Sequence, residues 1–187
     1  MNWTIPGTTL TIQREDAAAI RGQFQALFLG GGIALSQVTS ITGLDPYIIQ
    51  NWIKRGFLAK PEQKRYSLNQ LCRVITISML KGVLPMDRIC GLLRYVNGKL
   101  DDESDDIIDD CELYFLFLDL AARARDLDTA EEWEHAIAAT LEHYIERTPG
   151  ARDRVRQVLR IMLTGWAASR LAQEAEKMLT ALEEKEA

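Results

Sequence analysis

The chain has 187 residues, of which 47% are hydrophobic and 26% are charged, and its formal net charge is −5 at pH 7. This balance is typical of a soluble globular protein, and the chain is long enough to bury a substantial core in one domain of ordinary size or two small ones. The N-terminus MNWTIPGTTL has no basic stretch followed by an apolar run, and the apolar-rich run 113–122 is short and contains Asp119. The sequence therefore predicts no membrane association and a cytoplasmic location.

The net charge conceals a strong asymmetry along the chain. Residues 1–45 carry 2 basic and 3 acidic side chains, residues 46–99 (the basic segment) carry 10 and 2, and residues 100–187 (the acidic segment) carry 10 and 22. The net charges of these three stretches are therefore −1, +8 and −12. A basic segment inside an acidic protein is typical of a localised polyanion-binding surface. The alternative is that the basic segment docks on the acidic segment of the same molecule.

The first elements are predicted to be short helices separated by glycines. Residues 15–29 form one helix, which GGGI at 30–33 breaks. A short apolar stripe predicts the next helix, which Gly43 closes. The stretch GLDPYIIQNWIKRGFL then carries start and stop signals, because Asp45 can cap a helix, Pro46 fits its first position and Gly56 can end it. Two helices three residues apart predict a helix-turn-helix.

The second of these helices, residues 46–55, has two unlike faces. Apolar side chains fall on one face at helical spacing, and polar ones fall on the other. The apolar face is predicted to be core, and the polar face to be a binding surface or simply solvated. The apolar residues are Ile48, Ile49, Trp52 and Ile53, and the polar residues are Tyr47, Gln50, Asn51 and Lys54.

The rest of the basic segment is predicted to form a loop and two helices. The stretch AKPEQKRY at 59–66 is polar and basic, and its proline favours a small loop or a two-stranded wing over a helix. We call this stretch the basic loop. Ser67 and Gln70 form a capping-box pattern that opens an apolar helix running to about Lys81. A further helix is predicted from Pro85 to the Asn97-Gly98 pair.

The acidic segment is predicted to be entirely helical after its first residues, KLDDESDDIIDD. Helices are expected at about 104–126, at 129–147 after a Thr129–Glu132 capping box, and at 151–184. The fold class is therefore all-α. We divide the chain into an N-terminal helix and glycine turn (1–32), a winged helix-turn-helix (33–98) and an acidic helical domain (99–187).

The last helix carries two apolar stripes at alternating spacings of four and three, which is the pattern of helices that pack side by side. A helix of this length needs a partner along its length, so the sequence predicts a homodimer through it. The stripes are Val155, Leu159, Met162 and Trp166, and then Leu171, Ala175, Met178 and Leu182.

Metal and enzyme chemistry find little support in the sequence. Glu132-x-x-His135 has the spacing of half a di-iron site, but no second copy exists, and His143 lies on the same acidic helix face. DDESDD lacks the glycine and closing glutamate of an EF-hand. No phosphate loop or Ser-His-Asp arrangement is present, and Cys72, Cys90 and Cys111 are too far apart for a zinc ribbon. We predict no enzyme, no metal and no cofactor, and three cysteines buried as small apolar residues.

The order of these elements resembles the DNA-binding domain of MerR-type transcription regulators. ITGLDPYIIQNWIKRGFLAKP aligns without a gap to the MerR pattern, and the match covers about residues 33–97. QNWIKRG, KRYS, and NGKLDDESDDIID followed by CELY also resemble an uncharacterised bacterial domain-of-unknown-function family with a MerR-like N-terminal half. The chain departs from MerR proteins in its shorter wing, in Gln50 where they usually carry arginine and in Asn51 at an aromatic position. The MerR C-terminal coiled coil with its effector cysteines is not recognisable either, so metal sensing is not implied.

The resemblance implies a regulator that places helix 46–55 in the major groove of a palindromic DNA site. Gln50 and Asn51 could read adenine edges, and Tyr47 could touch a phosphate or a thymine methyl. Basic side chains would neutralise phosphates: Lys54, Arg55, Lys64 and Arg65. The structural alternative is a solvated helix face, with Arg55 favouring the helix C-terminus and Tyr66 packing beneath the loop. The competing function is a protein-interaction module whose helix-turn-helix is a scaffold, and the acidic domain is a candidate for sensing an unknown small-molecule effector.

Overall fold

The computed structural model describes residues 2–100, 106–124 and 129–186. It is mostly helical, as predicted, but the all-α expectation is wrong at the N-terminus, where two short strands form a sheet. The strands are β1 (Asn2–Thr4) and β2 (Thr11–Gln13). The α-helices are α1 (Ile20–Leu27), α2 (Leu35–Thr42), α3 (Pro46–Lys54), α4 (Leu68–Leu80), α5 (Met86–Asn97), α6 (Asp110–Ala124), α7 (Ala130–Thr140) and α8 (Ala151–Glu186).

The N-terminal hairpin packs on the helical core. β1 and β2 pair antiparallel with Trp3 opposite Ile12, and Trp3 and Ile5 are buried. At the turn, Gly7 has φ +76°, and a Cβ there would lie 2.5 Å from the carbonyl oxygen of Ile75 in α4, so only glycine allows this close approach. The helix predicted at 15–29 is instead a 3₁₀ turn at Arg14–Ala19 followed by α1.

Helices α2 and α3 are joined by three residues, and α3 begins at Pro46 as predicted but ends at Lys54, one residue before the predicted end at 55. Gly43 (φ +68°) and Gly56 (φ +73°) take the left-handed conformations expected at the two helix ends. Asp45 occupies the N-cap position of α3, but its side chain accepts no amide, so this part of the prediction is wrong. Pro46 has no amide to offer, and the amide of Ile48 donates instead to the backbone carbonyl of Asp45 at 3.0 Å.

Helix α4 is the centre of the molecule. The predicted capping box is confirmed, because the amide of Gln70 donates to the Ser67 hydroxyl at 3.2 Å and the amide of Ser67 donates to the Gln70 side chain at 2.9 Å. Every residue from 71 to 77 is buried, since α2, α5, α6 and α8 all pack against this helix. A helix that is buried on all sides is an internal one.

The acidic segment supplies two of the helices that pack against α4, which are α6 and α8. The aromatic run at 113–120 is buried apart from exposed Asp119 and half-buried Leu116, so this helix lies inside the molecule. Helix α6 begins at Asp110, later than predicted; the first residues predicted for it, 104 and 105, lie outside the described residues. Helix α7 ends at Thr140 and not at 147. The Arg152 guanidinium donates hydrogen bonds to the carbonyls of Leu141 and Tyr144, which therefore do not continue the helix. The Thr129–Glu132 capping box is confirmed.

A single cluster of buried apolar side chains runs from Trp3 in β1 to Trp166 in α8. The hydroxyl of Tyr114 in α6 donates to the carbonyl of Pro6 at 2.9 Å, which ties the hairpin to the acidic segment. The division into 1–32, 33–98 and 99–187 stays a prediction, although the cores of these segments are continuous. Among the described residues no helix combines the length and apolarity that crossing a bilayer requires.

Two of the three cysteines are buried and Cys111 is half-buried. The thiols of Cys72 in α4 and Cys111 in α6 are hydrogen-bonded to each other. This hydrogen bond lowers the pKa of Cys111, whereas burial raises the pKa of Cys72 and of Cys90. Since the thiolate is the reactive form, the three thiols should react at different rates.

We therefore expect Cys111 to be alkylated first by iodoacetamide near pH 8, ahead of Cys90 and Cys72. The Cys72→Ala variant removes the hydrogen bond that favours the Cys111 thiolate, so it should slow the alkylation of Cys111 several-fold. Cys90→Ala is the control and should leave that rate unchanged. Peptide mass spectrometry over a time course measures all three rates, and equal rates for Cys111 and Cys90 would contradict the assignment.

Candidate nucleic-acid interface

Helix α3 has one buried face and one exposed face, as the sequence predicts. Ile49 and Trp52 are buried against the core. Tyr47 is 75% exposed at the start of the helix, Gln50 is also exposed, and Asn51 is half-buried. The exposed face therefore presents the Tyr47 ring and the Gln50 amide, and the half-buried Asn51 amide lies at the edge of this face.

Basic side chains lie at the C-terminal end of α3. Lys54 is exposed in the last turn, and Arg55 follows as the C-cap residue with its guanidinium 4.6 Å from the centre of the Phe57 ring. The ammonium of Lys81, at the end of α4, lies 5.9 Å from the Trp52 ring of α3. Lys81 was missed as a candidate because only the tertiary fold brings it next to α3. Such contacts hold a cation near a ring without neutralising its charge.

The basic loop turns tightly at its tip. The amide of Arg65 donates to the Glu62 carbonyl at 2.7 Å, and the two central residues, Gln63 (φ +48°) and Lys64 (φ +63°), are left-handed. This geometry matches a two-residue hairpin turn. Lys64 and Arg65 are both exposed, and the Arg65 side chain reaches the Gly32 carbonyl at 3.4 Å.

The loop is fixed to the residues that precede α2. Tyr66 is buried, as the structural interpretation predicts, and exchanges two backbone hydrogen bonds with Ile33 at 2.8 and 3.0 Å. Helix α2 then packs on α3. The candidate residues thus fall into two groups that this framework connects. One group lies on α3 (Tyr47, Gln50, Asn51, Lys54, Arg55) and the other lies at the loop tip (Lys64, Arg65).

Most of the basic segment is not neutralised within the molecule. Among the described residues, Arg73 forms an ion pair with Asp110 of the acidic segment at 3.1 Å, and Lys99 has an interaction of its own. The other basic side chains are exposed and form no ion pair with residues 2–100, 106–124 or 129–186. They are Lys54, Arg55, Lys60, Lys64, Arg65, Lys81, Arg88 and Arg94. Within the part of the chain that the structure describes, the acidic segment therefore leaves these eight cations without a carboxylate partner, so their positive surface stays available.

The residues considered for metal binding have other roles or lie outside the described part of the chain. Glu132 accepts the Thr129 amide at 3.0 Å in the cap of α7, and His135 and His143 are exposed. Most of DDESDD, residues 101–105, lies outside the described residues. Within the described part of the chain, no group of three or more His, Cys, Asp and Glu side chains is arranged to hold a metal ion.

Residues 33–117 match a family described as Domain of unknown function (DUF1836). A similar protein is the "Uncharacterized protein YkrK" of Bacillus subtilis (strain 168), which is 29% identical over 86 residues. That alignment covers 44% of this chain and 37% of the relative, so the chain matches little more than a third of the relative's length. No solved structure matches the chain. The family match runs from Ile33, which is hydrogen-bonded to Tyr66, to the middle of α6. It therefore includes α3, the basic loop and the Arg73–Asp110 pair.

Proposed function

We propose that the protein is a DNA-binding transcription regulator in which α2 and α3 act as a helix-turn-helix, α3 enters the major groove and the basic loop acts as a small wing. The observation that carries this proposal is the set of exposed basic side chains without carboxylate partners around α3 and the loop. Unpaired cations on one segment of an acidic protein are what binding to a phosphate backbone requires. The resemblance to MerR-type regulators in the same residues supports this use.

Base reading would come from the exposed face of α3. Gln50 is exposed and Tyr47 projects from the helix start, whereas Asn51 is half-buried and reaches a base only from the edge of the face. A bidentate amide–adenine pair discriminates against a wrong base by about 1–3 kcal/mol. The phosphate contacts assigned to Lys54, Arg55, Lys64 and Arg65 would position the helix without reading sequence.

The test is enrichment of random-sequence duplex DNA on the purified protein at about 0.15 M salt, where the Debye length is about 8 Å. We expect a reproducible palindromic motif. Retention without any motif, or no retention, would favour the protein-interaction module and overturn the regulator.

Variants then separate base reading from phosphate contact on the enriched site. Gln50→Ala and Asn51→Ala should lose discrimination between the enriched site and its single-base variants, by about tenfold per lost pair. Lys54→Ala should instead weaken binding to all duplexes alike and reduce its salt dependence. Lys177→Ala, an exposed lysine beside Glu174 on α8, is the matched control and should bind like the wild type. Fluorescence anisotropy measures each affinity, and equal losses on all sequences for every variant would reject base reading.

We also infer that the protein is a homodimer through α8. From residue 171 to 184 every residue of this helix is exposed, and an isolated helix of that length is marginal in water. Exposed residues at heptad spacing form one stripe along the helix, which we call the heptad stripe. Its members are Ile161, Thr164, Ala168, Leu171, Ala175, Met178 and Leu182.

A second copy of the chain is the occupant that the heptad stripe fits best. A two-fold axis brings the same stripe from each copy together, so both partners have the same heptad period along about 30 Å of helix. Ala168 and Ala175 allow close approach of the helices, and Leu171, Met178 and Leu182 supply apolar area. Such a dimer would present two α3 helices to a palindromic site.

A further inference from the structure

Two cysteine thiols from different helices meet at the start of α6. The thiol of Cys72 in α4 is hydrogen-bonded to the thiol of Cys111, the second residue of α6. The backbone holds the same contact, because the amide of Cys111 donates at 3.2 Å to the side chain of Asn69, one turn before Cys72. The neighbouring residues Arg73 and Asp110 form the ion pair between the same two helices. These polar contacts keep the two sulfur atoms next to each other.

The two thiols differ in exposure and in ease of ionisation. Cys72 is fully buried, whereas Cys111 is half-buried and presents part of its surface to solvent. Their hydrogen bond lowers the pKa of Cys111, and the positive charge of Arg21 in α1 acts in the same direction. Partial burial and the carboxylates of Asp109 and Glu112 oppose this fall in the pKa without cancelling it. A dissolved oxidant should therefore react with Cys111 before Cys72.

We propose that Cys111 and Cys72 form a reversible oxidation site for hydroperoxides, in which Cys111 reacts with the peroxide and Cys72 then closes an intramolecular disulfide. An accessible thiol beside a second, resolving thiol is the arrangement that redox-sensing cysteines use. The site goes beyond DNA binding and does not rest on it, because neither thiol belongs to the proposed DNA contacts.

The oxidation takes two steps. In the first, the Cys111 thiolate attacks one oxygen of hydrogen peroxide and the O–O bond breaks. The other oxygen leaves as hydroxide and takes up the proton that Cys111 lost, so the peroxide is reduced to water and the sulfur is oxidised to a sulfenic acid. In the second step, the Cys72 sulfur attacks the Cys111 sulfur, the S–S bond forms and the S–O bond breaks. The hydroxyl leaves as water with the Cys72 proton.

Peptide mass spectrometry tests the site on the full chain. Trypsin places the three cysteines on separate peptides, 66–73, 89–94 and 100–123. The reduced protein is treated with hydrogen peroxide, blocked with N-ethylmaleimide and digested without reductant. We expect peptides 66–73 and 100–123 to be linked, with a mass two hydrogen atoms below their sum, while Cys90 carries the blocking group. Dithiothreitol should separate the linked peptides, and a non-reducing gel should show single chains.

Three variants assign the roles. Cys72→Ser keeps a hydroxyl that can donate to Cys111 but cannot form the disulfide, so Cys111 should stop at the sulfenic acid and be trapped by dimedone. Cys111→Ser should slow the oxidation of Cys72 at least tenfold, because Cys72 is buried. Cys90→Ser replaces a buried thiol outside the pair and is the matched control. It should form the linked peptides at the wild-type rate.

The exposed Met178 provides an internal measure of the peroxide dose, since its oxidation to sulfoxide needs no special site. Absence of the linked peptides once Met178 is fully oxidised would overturn the proposal. Oxidation of Cys90 as fast as Cys111, or a link between two chains instead of within one, would do the same. These results come from the wild type, so they hold even if a cysteine variant does not fold.

Discussion

The Asp110→Ala variant should lower the free energy of unfolding by about 3–5 kcal/mol, the loss usually caused by removing one partner of a buried ion pair. Arg73 and Asp110 join the centre of α4 to the start of α6, and their side chains are 7% and 13% exposed. Without Asp110, the Arg73 guanidinium would remain buried with its Nε donating to the Phe57 carbonyl at 3.0 Å. One neutral acceptor cannot compensate for the loss of water around a charge.

A double-mutant cycle in urea tests this pair. Arg73→Met should also destabilise strongly, because it removes the guanidinium that the Asp110 carboxylate and the Phe57 carbonyl accept from. The double variant Arg73→Met/Asp110→Leu should be less destabilised than the sum of the single changes, by about 1–3 kcal/mol, since it removes both buried charges together.

The matched control is an exposed pair on the same helix. Asp119 and Arg123 of α6 interact at 3.0 Å with their side chains 49% and 51% exposed. Asp119→Ala should therefore change the unfolding free energy by no more than about 0.5 kcal/mol. If Asp110→Ala lowers the free energy of unfolding no more than Asp119→Ala does, the buried pair does not hold α4 to α6.

The elements that were predicted correctly are those whose signals are local in sequence. Gly43 and Gly56 end their helices, and the caps at Ser67 and Thr129 form as expected, because each depends on residues within four positions. The strands β1 and β2 were missed because each has only three residues, too few for an alternating pattern to be distinctive. The end of α7 was misplaced because Arg152, from the next helix, binds the carbonyls that follow Thr140.

In the candidate site, too, the features that depend on neighbouring residues were predicted and those that depend on tertiary contacts were not. The two faces of α3 follow from helical spacing, so the exposed and buried residues could be assigned in advance. Whether the basic segment is neutralised by the acidic one depends on which side chains meet in the fold, and composition cannot decide it. The burial of the Asn97 side chain was not foreseen either, because in the sequence Asn97 looked like a helix-ending residue beside Gly98, and the lack of a hydrogen-bond partner for its amide exists only in three dimensions.

Replacing Leu171 and Met178 by glutamate should convert the proposed dimer to monomer at micromolar concentration. Both side chains are more than 60% exposed in the single chain and belong to the heptad stripe. In a dimer each would be buried against the partner helix, so two substitutions would place four charges in an apolar seam. We expect the affinity of the two copies for each other to fall at least a hundredfold, and each tenfold loss corresponds to about 1.4 kcal/mol.

Sedimentation velocity measures the mass, which should be twice that of the chain for the wild type and equal to it for Leu171→Glu/Met178→Glu. The matched control is Gln173→Glu/Thr180→Glu, which adds the same charge to exposed positions on the opposite face of the same helical segment and should remain dimeric. A dimer also determines how DNA is bound, because two linked α3 helices engage both halves of a palindrome. The monomeric variant should therefore lose most of its preference for the palindrome while keeping the salt-dependent binding that its unpaired cations provide. A wild type that sediments as a monomer would remove the dimer from the proposal.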